Sequence, residues 1–200
     1  MNNVHPTITI DLVLDRHTTK DVLQGVLHAI LFHRLFGLVK PQVFEVLDVT
    51  MPGVSDPEME QLVNDKVDAF WRGVDSGASK RGQITVTFSE KRPKKSWFQV
   101  YVGEEEVPWE RWYHYYLWGP LISRSFGRII NAELRQPKSD RDRQQFLTTL
   151  AATLTKAVQT MLVHTSSEKG RTAVPLITNA TGISPFPVRV AVSVGGIEVG

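Results

Sequence analysis

Along this chain the spacing between apolar residues switches repeatedly from two to three or four and back, and a chain patterned in this way folds as strands and helices around a shared core. Ile8, Ile10, Leu12 and Leu14 alternate with Thr7, Thr9 and Asp11, which predicts a half-buried strand over 7–14. Thr18, with Asp21 three residues on, forms an N-cap pair. Val22, Leu23, Val26, Leu27, Ile30 and Leu31 then trace one helical stripe that Gly37 is placed to close. Val43 to Val49 reads as a second strand between Pro41 and a Met51-Pro52-Gly53 turn. Ser55 with Glu58, and Pro57 in the first turn, open a second helix striped by Met59, Leu62, Val63, Val67, Phe70 and Trp71. Ile84, Val86 and Phe88 mark a third strand, and a fourth is expected over 110–118. Ser139 and Asp142 cap the third and longest helix, whose stripe is Phe146, Leu147, Leu150, Ala151, Leu154, Val158, Met161 and Leu162. Val188, Val190, Val192 and Val194 make a late strand. The expectation is an α+β fold, a single domain over 1–200 with three main helices on a mostly antiparallel sheet.

Composition narrows the function classes. Two hundred residues, 42% of them hydrophobic, suffice for one substantial core. A net charge of +2 supplies no whole-protein field toward nucleic acid. The absence of cysteine removes disulfides, thiolate zinc sites and thiol nucleophiles together, and suits a compartment where thiols stay reduced. The amino terminus lacks a basic segment followed by an uninterrupted apolar run, and Val22–Phe36 is broken by Gln24, His28, His33 and Arg34. A soluble, cytoplasmic chain is expected. Asn179-Ala180-Thr181 matches a glycosylation acceptor by coincidence of composition.

No local signature of chemistry is present: there is no GxSxG elbow, no GxxxxGK[ST] loop and no GxGxxG turn. His28 and His33 share a helix, but a five-residue step turns their side chains apart, unlike the i, i+4 pair of HExxH. Glu104, Glu105 and Glu106 read as a solvated, self-repelling loop rather than a general acid–base set. No catalytic residue, metal or cofactor is expected. The enzyme alternative is a hydrolase whose residues are scattered through the fold.

The most informative segment is Lys91-Arg92-Pro93-Lys94-Lys95-Ser96-Trp97-Phe98, four cations joined to two large aromatics within an exposed aromatic and basic loop over about 91–108. If it is exposed, Trp97 and Phe98 suit a protein-docking finger, supported by Lys94, Lys95, Pro108 and Trp109. A membrane surface is a second possible partner for such a loop, while single-strand nucleic acid is disfavoured by the shortness of the basic cluster. The competing fate is that both aromatics fold into the core. The later aromatic run from Pro108 to Trp118 suits a central strand covered by helices on one side and by the tail on the other.

Four stretches, taken together, resemble the autophagy-related protein 101 family: Val26-Leu27-His28-Ala29-Ile30-Leu31-Phe32-His33-Arg34, Gly82 to Phe88, the basic run into Ser96-Trp97-Phe98, and Val107-Pro108-Trp109-Glu110-Arg111-Trp112. The resemblance implies a HORMA-like fold without a catalytic site. It also implies pairing with the HORMA domain of autophagy-related protein 13, and association with other subunits of the autophagy-initiation kinase complex at the pre-autophagosomal structure. Trp97 and Phe98 would be the family's WF finger, which recruits downstream factors; here they are adjacent, where the familiar animal pattern has a proline between them. The partner face is expected on the outward side of the third helix, at Arg143, Thr149, Thr153 and Lys156. A HORMA adaptor that clasps a peptide is the alternative, with a belt made from residues 165–200.

Overall fold

Gly82, Ile84, Val86 and Phe88 are buried while Gln83, Thr85 and Thr87 between them are half-buried, so the strand that carries them has one face in the core. The computed structural model describes residues 7–77, 79–94, 103–112, 130–178 and 182–200. The chain runs β1 (Thr7–Ile8), β2 (Ile10–Leu14), α1 (Thr19–Phe32), β3 (Lys40–Val46), β4 (Val49–Ser55), α2 (Pro57–Asp75) and β5 (Arg81–Pro93). It continues with β6 (Glu104–Trp112), β7 (Ile130–Leu134), α3 (Asp140–Ser166), α4 (Glu168–Thr172), β8 (Val188–Val194) and β9 (Ile197–Glu198). This is the expected α+β architecture, with three main helices and a mostly antiparallel sheet, and it is consistent with a HORMA-like arrangement.

β5 organises the main sheet. β8 pairs antiparallel along one side of it, from Gly82↔Val194 to Phe88↔Val188. Along the other side β6 and β7 lie end to end, with Trp112 opposite Val86 and Ile130 opposite Ile84. The strand expected over 7–14 is broken at Thr9 into β1, parallel to β6, and β2, parallel to β7. Both neighbours therefore leave room for one residue between Trp112 and Ile130, although residues 113–129 separate them in sequence. The tail strand β8 lies within the sheet beside β5 and does not cover its face. β7 was not anticipated, although Ile130, Ala132 and Leu134 alternate.

The helices bury their stripes over this sheet. α1 keeps Val22, Leu23, Val26, Leu27, Ala29, Ile30 and Leu31 at no more than 1% exposure, and each such large side chain contributes roughly 1.5–3 kcal/mol. The β3–β4 hairpin packs on α1, α2 contacts β5 and β8, and α3 contacts β2. All of these side chains join one hydrophobic cluster that runs from Ile8 to Val194. α3 is long and apolar enough to cross a bilayer by length and composition. Its Phe146, Leu150, Leu154, Ala157 and Met161 nevertheless lie in this shared core. Leu162, expected on the buried stripe, is exposed.

Several local expectations are corrected. Residues 40–55 form a hairpin, β3 paired with β4, in which Met51-Pro52-Gly53 lies within a strand. The turn is at Leu47 and Asp48, both left-handed at φ 51° and 61°, which matches the two-residue turns that follow strand twist. Asp56 rather than Ser55 caps α2, its carboxylate accepting from the amides of Glu58 and Met59. Thr18 occupies the N-cap of α1 without a side-chain cap bond; Asp15 Oδ1 accepts from the amides of His17 and Thr18 and from the Thr18 hydroxyl. Gly37 does not close α1, which ends at Phe32. It is needed where two loops touch, because its amide donates to the Ile183 carbonyl and a Cβ there would lie 2.1 Å from the Gly182 oxygen.

Candidate interaction site

β5 and β6 outrun their neighbours. β8 follows β5 only as far as Phe88, with one further bond from the Ser89 amide to the Pro187 carbonyl. Among the described residues β1 reaches β6 only at Arg111 and Trp112. From Ser89 to Pro93 and from Glu104 to Pro108 the two strands form a ribbon, closed by the Lys94 amide donating to the Gly103 carbonyl at 3.0 Å. Residues 91–93 and 104–108, expected in a loop, are thus strand. The reason is electrostatic as well as backbone pairing: Lys91 faces Glu106, Arg92 faces Glu105, and Lys91 reaches Glu104 at 4.0 Å. Two cations thus face the run of three glutamates across the ladder, Arg92 also pairing with Glu90 on its own strand at 2.9 Å. Gly103 takes a φ of +96°, which suits glycine where the strand begins.

At the ribbon's foot the register shifts between Phe88 and Ser89, whose partners are Glu110 and Pro108, so Trp109 is the extra residue of a β-bulge. Trp109 is 4% exposed, its ring 5.8 Å from Phe88 and 5.2 Å from Phe186, with the Arg34 guanidinium 5.8 Å from its centroid. Pro108, half-buried, stands opposite Ser89. Lys94 is exposed at the ribbon's end. Lys95, Trp97 and Phe98 lie outside the described residues, within 95–102, the segment that joins the two ends of the ribbon.

Directly behind the bulge is a buried charge network that the sequence did not disclose. Arg34 donates from Nε to Glu110 Oε2, from Nη2 to Glu110 Oε1 at 2.9 Å and to the Gly170 carbonyl at 3.2 Å. His164 Nε2 meets Glu110 Oε1 at 2.5 Å, and its ring stands edge-on to Trp112 at 5.7 Å. A carboxylate at 0% exposure is tolerable only with partners such as these. The network ties the end of α1, the foot of the ribbon, the end of α3 and α4 into one unit. Gly170 has no room for a side chain there, since a Cβ would lie 1.9 Å from the His164 oxygen. Its members come from three distant segments, and Glu110 follows an acidic run that looked like surface.

His28 and His33 are inward-facing. His28 stacks on Phe44 at 4.6 Å, and burial holds its imidazole below the ordinary range while Glu60 pulls it the other way. Burial, helped by the adjacent Arg34 charge, lowers His33 as well. Among the described residues no three His, Asp or Glu side chains assemble as a metal-holding group. The other candidate face lies on α3, where Arg143, Thr149 and Lys156 are exposed and Thr153 is half-buried. The Thr149 and Thr153 hydroxyls donate to the Gln145 and Thr149 carbonyls, which leaves their methyl groups to the surface of the helix. Thr149, Thr153, Lys156 and exposed Val163 recur at helical spacing along one side of α3, while exposed Leu162 lies on another side.

Comparison with known proteins gives a consistent result. The family model described as Autophagy-related protein 101 matches residues 11–118. The Autophagy-related protein 101 of Schizosaccharomyces pombe is 35% identical over 107 residues, 53% of this chain and 56% of that protein. The protein of the same name from Arabidopsis thaliana is 30% identical over 106 residues, 52% of this chain and 48% of that protein. The chain thus matches about half the length of these curated relatives.

Proposed function

Because this chain belongs to the autophagy-related protein 101 family, we propose that it acts in autophagy as a non-catalytic adaptor, pairing with the HORMA domain of autophagy-related protein 13 and recruiting further factors through Trp97 and Phe98. The observation that carries this reading is the charged ribbon. It extends beyond β8 and is braced at its foot by the bulge, Trp109 and the Arg34–Glu110 pair, and its two ends are joined by the residues that hold both aromatics. An aromatic pair on a braced arm suits interface anchoring, where truncating one aromatic commonly costs about 2 kcal/mol or more. The face of α3 supports the pairing half of the reading. Its Thr149, Thr153 and Val163 offer apolar contact and Lys156 offers charge to an acidic counterpart, with Arg143 exposed nearer the start of the helix. In this reading the protein is cytoplasmic and gathers at the pre-autophagosomal structure with the other kinase-complex subunits. Within 165–200, the segment from which a peptide-clasping belt would be made, Glu168–Thr172, Val188–Val194 and Ile197–Glu198 form α4, β8 and β9, with β8 held along seven positions of β5.

The test is affinity capture of the tagged protein from starved cells, comparing wild type with Trp97→Ala, Phe98→Ala and with Thr149→Glu, Thr153→Glu. The finger variant should keep the HORMA partner and lose other recruits, and the α3 variant should lose the HORMA partner. Failure of wild type to capture any HORMA protein would remove the pairing claim. Undiminished recruitment by the double alanine variant would remove the finger.

A further inference from the structure

The end of the sheet opposite the ribbon carries a second concentration of charge. β5 runs from Arg81 to Pro93, so this end lies roughly 40 Å from the ribbon's end along the strand. Here Arg16, from the turn between β2 and α1, Lys80, just before β5, and Arg135 and Lys138, between β7 and α3, line one cleft of about 650 Å³. Asp75 is the only acidic residue in the lining, and it is committed to Arg16. Arg135 is paired with Asp142 at 3.1 Å. Lys80 and Lys138 have no ion-pair partner among the described residues, so their two ammonium groups give the cleft its net positive charge.

Four cations brought together by three separate segments repel one another, and only part of that repulsion is offset by Asp75 and Asp142. A polyanion would relieve it. The volume is within the roughly 300–1,000 Å³ of small-molecule sites and too large for one phosphate alone. Leu134 and Pro137 also line it and give the body of a ligand an apolar surface. Guanidinium groups hold phosphate through paired donors and ammonium groups hold it as point charges, so the set suits more than one phosphate at once. The geometry points to a binding site for a compact molecule that bears at least two phosphate groups, either free or as the headgroup of a phosphorylated inositol lipid. This assignment is independent of the adaptor reading.

The test is isothermal titration of the purified 200-residue chain with inositol hexakisphosphate and with inorganic phosphate. A second arm measures flotation with phosphatidylcholine vesicles with and without phosphatidylinositol 4,5-bisphosphate. Lys80→Ala, Lys138→Ala is compared with Lys40→Ala, Lys66→Ala, which removes the same charge elsewhere, and thermal melting checks that each variant is folded. Saturable one-to-one binding of the hexakisphosphate, weakened about tenfold or more only in the cleft variant, is expected. Loss of vesicle flotation in that variant would assign the lipid source, and hexakisphosphate binding without flotation would assign a free polyphosphate. No binding to either probe, equal binding by both double variants, or inorganic phosphate binding as tightly as the hexakisphosphate would overturn the proposal.

Discussion

Arg34 and Glu110, 76 residues apart in sequence, meet as a bidentate pair with side chains 3% and 0% exposed. They sit in two of the stretches that carry the family resemblance, one ending α1 and the other at the foot of the ribbon. Removing one partner leaves a charge buried and uncompensated. Glu110→Gln, or Arg34→Met, is expected to cost about 3–5 kcal/mol in urea unfolding. The double variant Arg34→Met, Glu110→Leu should recover much of that loss, since a well-packed apolar pair can replace a buried ion pair. Single variants with midpoints like the wild type would show that the pair is not holding these elements together.

Stability should fall on the acid side of neutrality. Burial lowers the folded-state pKa of His28 and His33 below the ordinary 6.5, so below that value the unfolded chain takes up protons that the folded chain refuses. Stability therefore declines as pH drops through about 6.5 and continues to decline until the folded histidines themselves protonate. Urea midpoints at pH 7.5 and 5.5 read this directly. His28→Gln should shrink the difference between them, and an undiminished difference would place the effect elsewhere.

Reversing the cations of the ribbon sets like charges opposite one another. Lys91→Glu, Arg92→Glu should speed amide exchange at Lys94, whose amide is bonded to the Gly103 carbonyl, while the global midpoint moves by only about 0.5–1 kcal/mol. Adding Glu105→Lys, Glu106→Arg should restore protection. Exchange at Lys94 unmoved by the first pair would mean that backbone pairing alone holds the ribbon.

Gly37→Ala should destabilise by about 1–3 kcal/mol, because the new methyl meets backbone at Gly182 and Ile183 that cannot turn aside as a side chain would. Thermal melting against Gly77→Ala separates the causes. At Gly77 an added Cβ meets nothing within 4 Å, and only the φ of +79° is strained.

Deleting residues 114–129 should leave a chain that still folds cooperatively. Tyr113 would then be the single link opposite Thr85, as the pairing of Trp112 with Val86 and of Ile130 with Ile84 requires. A broadened or lost urea transition would show that the excised segment contributes to the core.

Strand and helix periodicity made the sequence legible wherever one face of an element is buried. The α1 and α3 stripes, the Ile84–Phe88 alternation and the valines of β8 were all readable, and α3 began where Ser139 and Asp142 placed it. What depended on distant pairing was not readable. Glu104 to Glu106 looked like a loop because their countercharges lie on the other strand, and the Met51-Pro52-Gly53 turn was misplaced because Leu47 and Asp48 adopt left-handed geometry without glycine. The Arg34, Glu110 and His164 network and the cationic cleft each draw on three separate segments, and no local spacing encodes either. Trp97 and Phe98 stand out by composition, following six residues of which four are cations, and both lie outside the described residues.

The joint between β6 and β7 also bears on inheritance. Two neighbouring strands, one on each side, fix the distance from Trp112 to Ile130 at a two-residue step, which a single codon between them would span. The sixteen codons for 114–129 are a whole number of triplets, and their gain or loss as a block would leave the message in frame and every strand downstream in its place. If the shortened chain folds as expected, two transcripts that differ by that block specify the same pairing on either side of the joint.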